Sequence, residues 1–188
     1  MGTPSTVLIV PGLRDHVAEH WQTLLAAQLP GAHSVPPMGR EALDCAARVE
    51  AIEQALSAIN GPVVIVAHSG GCLAVAHWAA QTGQAGRVRG ALLAVPPDFD
   101  TPLPAGYPAI DALRAAGWLP VPRQPLPFPS LVATSQNDPL AALDRVQALA
   151  SDWGSYVTGA IIPVDGGLGL TGPRDFSAAA EASRRGTR

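Results

Sequence analysis

The sequence contains no lysine; all twelve of its strongly basic residues are arginines. Schiff-base chemistry, serine-lysine dyads and phosphate-binding loops that need a lysine ammonium are thereby excluded. Cysteine is nearly absent as well. Cys45 and Cys72 form no Cys-x-x-Cys pair and no cluster with histidine at metal-ligand spacing, so neither a disulfide framework nor a zinc site is expected. Reduced thiols in a cytoplasmic protein fit this usage. Charge is sparse, at 14% of residues with a formal net charge of −3, and the arginines are scattered, so no footprint for nucleic acid is present. The first residues lack a basic leader region, and the apolar run Val7 to Val10 is far too short for a signal core or a membrane span. No cofactor, metal, nucleic-acid or membrane partner is expected.

What is present is a chain of 188 residues, 47% hydrophobic, enough for one domain with a substantial core. Thr6 to Val10 is a continuous β-branched and apolar run ended by Pro11-Gly12, the pattern of a strand buried on both faces. Further strands are predicted at Ala32 to Val35, Val63 to Ala67, Ala91 to Val95 and Ser130 to Thr134. Helices are predicted at Glu19 to Gln28, Glu41 to Ile59, Cys72 to Ala80, Ala109 to Ala116 and Leu140 to Ala150. Strands alternating with helices indicate a three-layer α/β fold with a mostly parallel sheet and helices on both faces. Residues 1–170 read as this one domain and 171–188 as a polar tail. Between Pro96 and Pro129 lie ten of the nineteen prolines, which reads as a lid or substrate-binding loop.

The chemistry concentrates at Ala67-His68-Ser69-Gly70-Gly71. A Gly-x-Ser-x-Gly turn between a strand and a helix lifts a serine hydroxyl above the sheet, where the helix N-terminus offers N–H groups to developing negative charge. Alanine replaces the first glycine here, a tolerable change because it remains small. The plain alternative is a βα turn capped by a serine. Pro11-Gly12-Leu13 follows the first strand, where a second oxyanion amide belongs, so Leu13 and Gly70 are the candidate donors. Asp138, in Ser135-Gln136-Asn137-Asp138-Pro139 after a later strand, is placed for the acid of a serine, acid, histidine order; an Asn-Asp-Pro turn capping the next helix is the alternative.

These motifs, with His20-Trp21, Gly71-Cys72-Leu73-Ala74, Ala76-His77-Trp78, Val95-Pro96-Pro97 and Trp153-Gly154-Ser155, resemble the small single-domain serine hydrolases of the retinoblastoma-binding hydrolase and YdeN-like family. The resemblance implies an α/β-hydrolase fold, a Ser69 nucleophile, an Asp138 acid and a small ester or acyl ligand. It also implies a closing histidine in a Gly-His-Ile-Asn segment after the last strand. No histidine follows His77, and alignment puts Ile161 in that slot. Isoleucine cannot carry a proton.

Among the remaining histidines, His77 lies about 12 Å along the helix from Ser69. His68 is expected to point away from the hydroxyl, and His20 to orient the first helix. His16, in the loop after the first strand, is the candidate substitute base and the one histidine expected to reach the pocket. Tyr156 to Gly167 is similar to the C-terminal segment of short-chain dehydrogenases, but the chain has no dinucleotide fingerprint after its first strand and no lysine for a Tyr-x-x-x-Lys pair. Two readings stand: a serine hydrolase of carboxylic esters or related acyl groups, and a catalytically impaired relative acting as a binding or interaction protein.

Overall fold

The computed structural model describes residues 4–14, 16–39 and 41–154, and the backbone of 162–163. Six parallel strands form one sheet in the order β2-β1-β3-β4-β5-β6. They are β1 (Thr6–Val10), β2 (His33–Ser34), β3 (Val63–His68), β4 (Val88–Ala94), β5 (Ser130–Thr134) and β6 (Ile162–Pro163). The helices are α1 (Trp21–Gln28), α2 (Cys45–Ser57), α3 (Gly70–Ala79), α4 (Ile110–Ala115) and α5 (Leu143–Trp153). This is the α/β-hydrolase arrangement expected from the sequence. The chain runs outward from β1 to β2, then returns to β3 and proceeds the other way. Right-handed crossovers therefore put α1 on one face and α2 and α3, which pack on each other, on the other.

The apolar runs of β1 and β3 are explained by that double cover: Leu8, Ile9, Val63, Ile65 and Ala67 are almost wholly removed from water. Several element ends differ from the expected ones for local reasons. Helix α1 starts at Trp21 because the His20 side chain caps it, its Nδ1 accepting from the Gln22 amide at 3.4 Å. Helix α2 begins at Cys45, since Asp44 takes the N-cap and accepts from the Ala47 amide at 2.9 Å. The buried Arg48 is paired with backbone, donating to the carbonyls of Gly39 and Ala42.

The proline-rich stretch, expected as a lid or substrate-binding loop, does line the cavity described below, and it is packed as a wall. Phe99, Leu113, Trp118, Val121, Leu126 and Phe128 are all core residues. Two indoles staple it down: Trp118 Nε1 donates to Leu43 O at 2.6 Å, and Trp153 Nε1 donates to Pro122 O at 2.9 Å. Proline fits because the stretch has few sheet partners to satisfy, and apolar burial replaces the missing hydrogen bonds. Among the described residues no helix is long and apolar enough to cross a membrane. Residue 161 and the tail beyond 163, on which the domain boundary at 170, the triad slot and the dehydrogenase-like segment depend, fall outside the described residues.

Candidate active site

The sheet order reverses between β1 and β3, so the loops leaving their C-terminal ends diverge and open a crevice, the usual ligand position in open parallel sheets. Ser69 sits there, between the last residue of β3 and the first of α3, with φ 53° and ψ −129°. A side chain in that region costs on the order of 1–3 kcal/mol and persists only where its surroundings impose it. Here the Ser69 amide continues the sheet by donating to Ala94 O at 2.9 Å, and its carbonyl accepts from the Cys72 amide at 2.9 Å, the first turn of α3. The backbone is therefore held on both sides of the strained residue. A second non-glycine residue with positive φ, Val95 at 47°, lines the same crevice.

The glycines explain why the turn closes. A Cβ on Gly71 would lie 2.5 Å from Pro11 O and 2.7 Å from Val10 O, so only glycine lets the helix start meet the end of β1. Ala67, in place of the motif's first glycine, is fully buried without difficulty. A Cβ on Gly70 would lie 2.7 Å from the Leu13 side chain, which brings together the two residues expected to supply oxyanion amides. Among the described residues neither amide donates to an acceptor of the protein.

A cavity of about 660 Å³ opens over this turn. Its floor holds Ser69, Gly12 and Leu13. One wall is the proline-rich stretch, through Pro97, Phe99, Leu103 and Tyr107; the other is α1 with the β2 edge, through Gln22, Ala26 and Pro36. Asp138 lies on the rim of the same cavity, its carboxylate accepting from the Leu140 amide at 2.9 Å. That loop is tied to the wall, for Asp98 donates its amide to Leu140 O at 3.0 Å while its carboxylate takes the Arg145 guanidinium at 2.8 Å. Burial pushes the Asp98 pKa up, but Arg145, the Asp100 amide and Thr101 together hold it below the usual carboxylate range.

One expectation needs correcting: His16 is not the sole histidine of the cavity. His16, His20 and His68 all line it, because the β1 loop folds back and carries the start of α1 over the end of β3. The His20 and His68 rings meet edge to face at 4.6 Å between centroids, and Trp21 packs on His68 at 5.8 Å. His20 also orients α1, as expected, through its cap. His77 lies elsewhere, hydrogen-bonded to Trp118 O at 3.1 Å. Among the described residues no histidine is hydrogen-bonded to Asp138 or to the Ser69 hydroxyl.

Residues 7–162 match the family model described as serine hydrolase. The chain belongs to that family. Among solved structures, a YdeN-like hydrolase from Pectobacterium atrosepticum is 29% identical with a TM-score of 0.65, covering 95% of this chain and 89% of its own. The mouse α/β hydrolase domain-containing protein 10 matches at 14% identity and a TM-score of 0.65, covering 88% of this chain and 82% of its own. A monoacylglycerol lipase from Paleococcus ferrophilus matches at 15% identity and a TM-score of 0.59, with 88% and 86% covered. The last two support the fold alone. No curated protein matches the chain.

Cavity residues that the sequence alone did not place there include Arg14, Gln22, His68 and Tyr107. Each comes from a different element, so no spacing announces them. Gln22 is buried and clamps the sheet at the crevice, donating to Val10 O at 3.1 Å and Val66 O at 3.0 Å. His68 has its pKa pushed down to about 4, first by burial and then by His20 and Arg14. Between pH 6.5 and 4 the unfolded chain thus binds a proton at this position that the folded chain refuses. The associated stability is complete above pH 6.5 and is lost as pH falls through that window, by about 2 kcal/mol after allowing for partial exposure. Urea midpoints at pH 7.5 and 4.5 should show this loss in the wild type and a smaller one in His68→Asn; equal losses would refute it.

Proposed function

We propose that this serine hydrolase cleaves carboxylic esters or related small acyl compounds, with Ser69 as nucleophile and Asp138 as the acid. The observation that carries the reading is the strained Ser69 backbone on the floor of a large apolar cavity at a helix N-terminus, an arrangement costly to keep for packing alone. In the reaction Ser69 Oγ attacks the acyl carbon and loses its proton to a base. The Leu13 and Gly70 amides receive the developing oxyanion, and the alcohol departs with the proton. Water then hydrolyses the acyl-serine by the same steps.

The base is sought among the cavity histidines. His20 has Nδ1 engaged by the Gln22 amide, and His68, with its depressed pKa, is a weak proton acceptor. His16 remains as the candidate among the cavity histidines. A second reading rests on the same absence: with no histidine joined to Asp138 among the described residues, the chain would keep the pocket and bind an acyl ligand without turning it over.

A fluorophosphonate probe separates the two. The hydrolase reading expects covalent labelling that disappears in Ser69→Ala and falls at least tenfold in His16→Ala, alongside slow hydrolysis of p-nitrophenyl butyrate. Retained labelling in Ser69→Ala refutes the nucleophile, and no labelling of the wild type supports the binding-only reading.

A further inference from the structure

The mouth of the cavity carries a charge that ester cleavage does not use. Arg14 follows Leu13 directly, so its backbone is set by the loop proposed to hold the oxyanion. Its guanidinium reaches across to the proline-rich wall, where Nη2 donates to Tyr107 Oη at 3.2 Å. Both residues line the cavity. Among the described residues every ion pair uses Arg114, Arg123 or Arg145, so Arg14 faces the cavity with no carboxylate assigned to it. It is also the one described cavity residue with a fixed positive charge, and Asp138 lines the same cavity. After burial, its field contributes to the depressed pKa of both His20 and His68, which places it within electrostatic reach of the floor. With those two rings neutral near pH 7, the positive potential at the mouth comes from Arg14.

We propose that Arg14, steadied by Tyr107, reads a carboxylate on the substrate, so that the preferred ligand is an ester bearing one carboxylate on an otherwise apolar body. This rests on the ester-hydrolase reading for the reaction, but not for the binding. A guanidinium presents a planar fork of donors that matches a carboxylate with two parallel hydrogen bonds, and the Tyr107 contact fixes the fork on one side while leaving further N–H groups for the ligand. Leu13, Val17, Phe99 and Leu103 supply an apolar surface for the rest of the molecule. A neutral ester would gain only that surface. A free dianion would set its second charge against the same walls without a partner.

The test reads binding in Ser69→Ala chains by ligand-observed NMR titration, comparing monomethyl glutarate with dimethyl glutarate. The monoester should bind on the order of tenfold more tightly at low salt, and 0.5 M NaCl should erase most of that preference. Arg14→Gln should remove the preference while leaving the diester unchanged. Arg14→Lys should retain part of it, and Tyr107→Phe should lower it two- to threefold. Equal binding of the two esters, or a monoester preference that survives Arg14→Gln, overturns the inference. Because the measurement uses a chain without the nucleophile, it stands apart from the labelling experiment: loss of labelling in the wild type would refute the hydrolase reading and leave the carboxylate preference intact.

Discussion

Gly71→Ala is expected to destabilise the chain by about 3–5 kcal/mol and to abolish labelling of Ser69, the larger of two effects that bear on the elbow. The added methyl would sit 2.5 Å from Pro11 O, and the atoms it would meet are all backbone, so no rotamer change can relieve it. Either the start of α3 moves away from β1 or the loop holding Leu13 is displaced, and both undo the crevice. Gly83→Ala is the control, since its methyl would meet nothing within 4 Å, and it should shift the urea midpoint negligibly. A Gly71→Ala chain with a normal midpoint and normal labelling would show that the helix start tolerates a side chain and that the close approach to β1 is not what shapes the site.

Placing a histidine beside β6 is expected to raise ester turnover by on the order of 10²-fold or more if the proposed Ser69 and Asp138 lack a partner base, because a triad histidine is worth orders of magnitude in rate over binding and oxyanion contacts alone. Two placements compete. The family resemblance implies a slot at Ile161. The strand register instead pairs Ile162 with Ala133 and Pro163 with Thr134, the last residue before the loop that carries Asp138, which makes Val164, next along the chain, the second placement to test. Ile161→His and Val164→His should therefore be compared by p-nitrophenyl butyrate turnover, each with Ser69→Ala as background. The productive placement should also shift the pH profile to a single group titrating near 6–7. If neither histidine raises a turnover that Ser69 already supports, a cavity histidine serves as the base, and His16→Ala should then eliminate it.

Much of the fold was legible because its signals are local. A run such as Thr6 to Val10 can be buried on both faces only in a parallel sheet covered by helices, and Pro11-Gly12 or Asn60-Gly61-Pro62 end elements by their own backbone preferences. The elbow was legible for the same reason, since Ser69 stands between a buried strand and a helix of small residues. The proline-rich stretch was legible as a segment lining the pocket but not in its packing: proline content reports a lack of regular hydrogen bonding, not of packing, and the indoles of Trp118 and Trp153 that staple the stretch act over 75 and 31 residues. The histidines misled. Whether His68 faces the cavity depends on where α1 lies, and no pattern around His68 carries that information.

By itself, then, the sequence determined the strand and helix alternation, the position of Ser69 on its turn, and the lack of lysine and of any histidine after His77, all of which follow from residue type and near-neighbour spacing. The tertiary structure alone decided that Leu13 lies against Gly70, that Asp138 shares a cavity with Ser69, that three histidines gather there, and that Arg14 bridges the mouth to Tyr107. Those are meetings of residues up to 93 positions apart. They arise because the sheet order reverses between β1 and β3, and that reversal is settled by which buried surfaces fit together, not by any segment read alone.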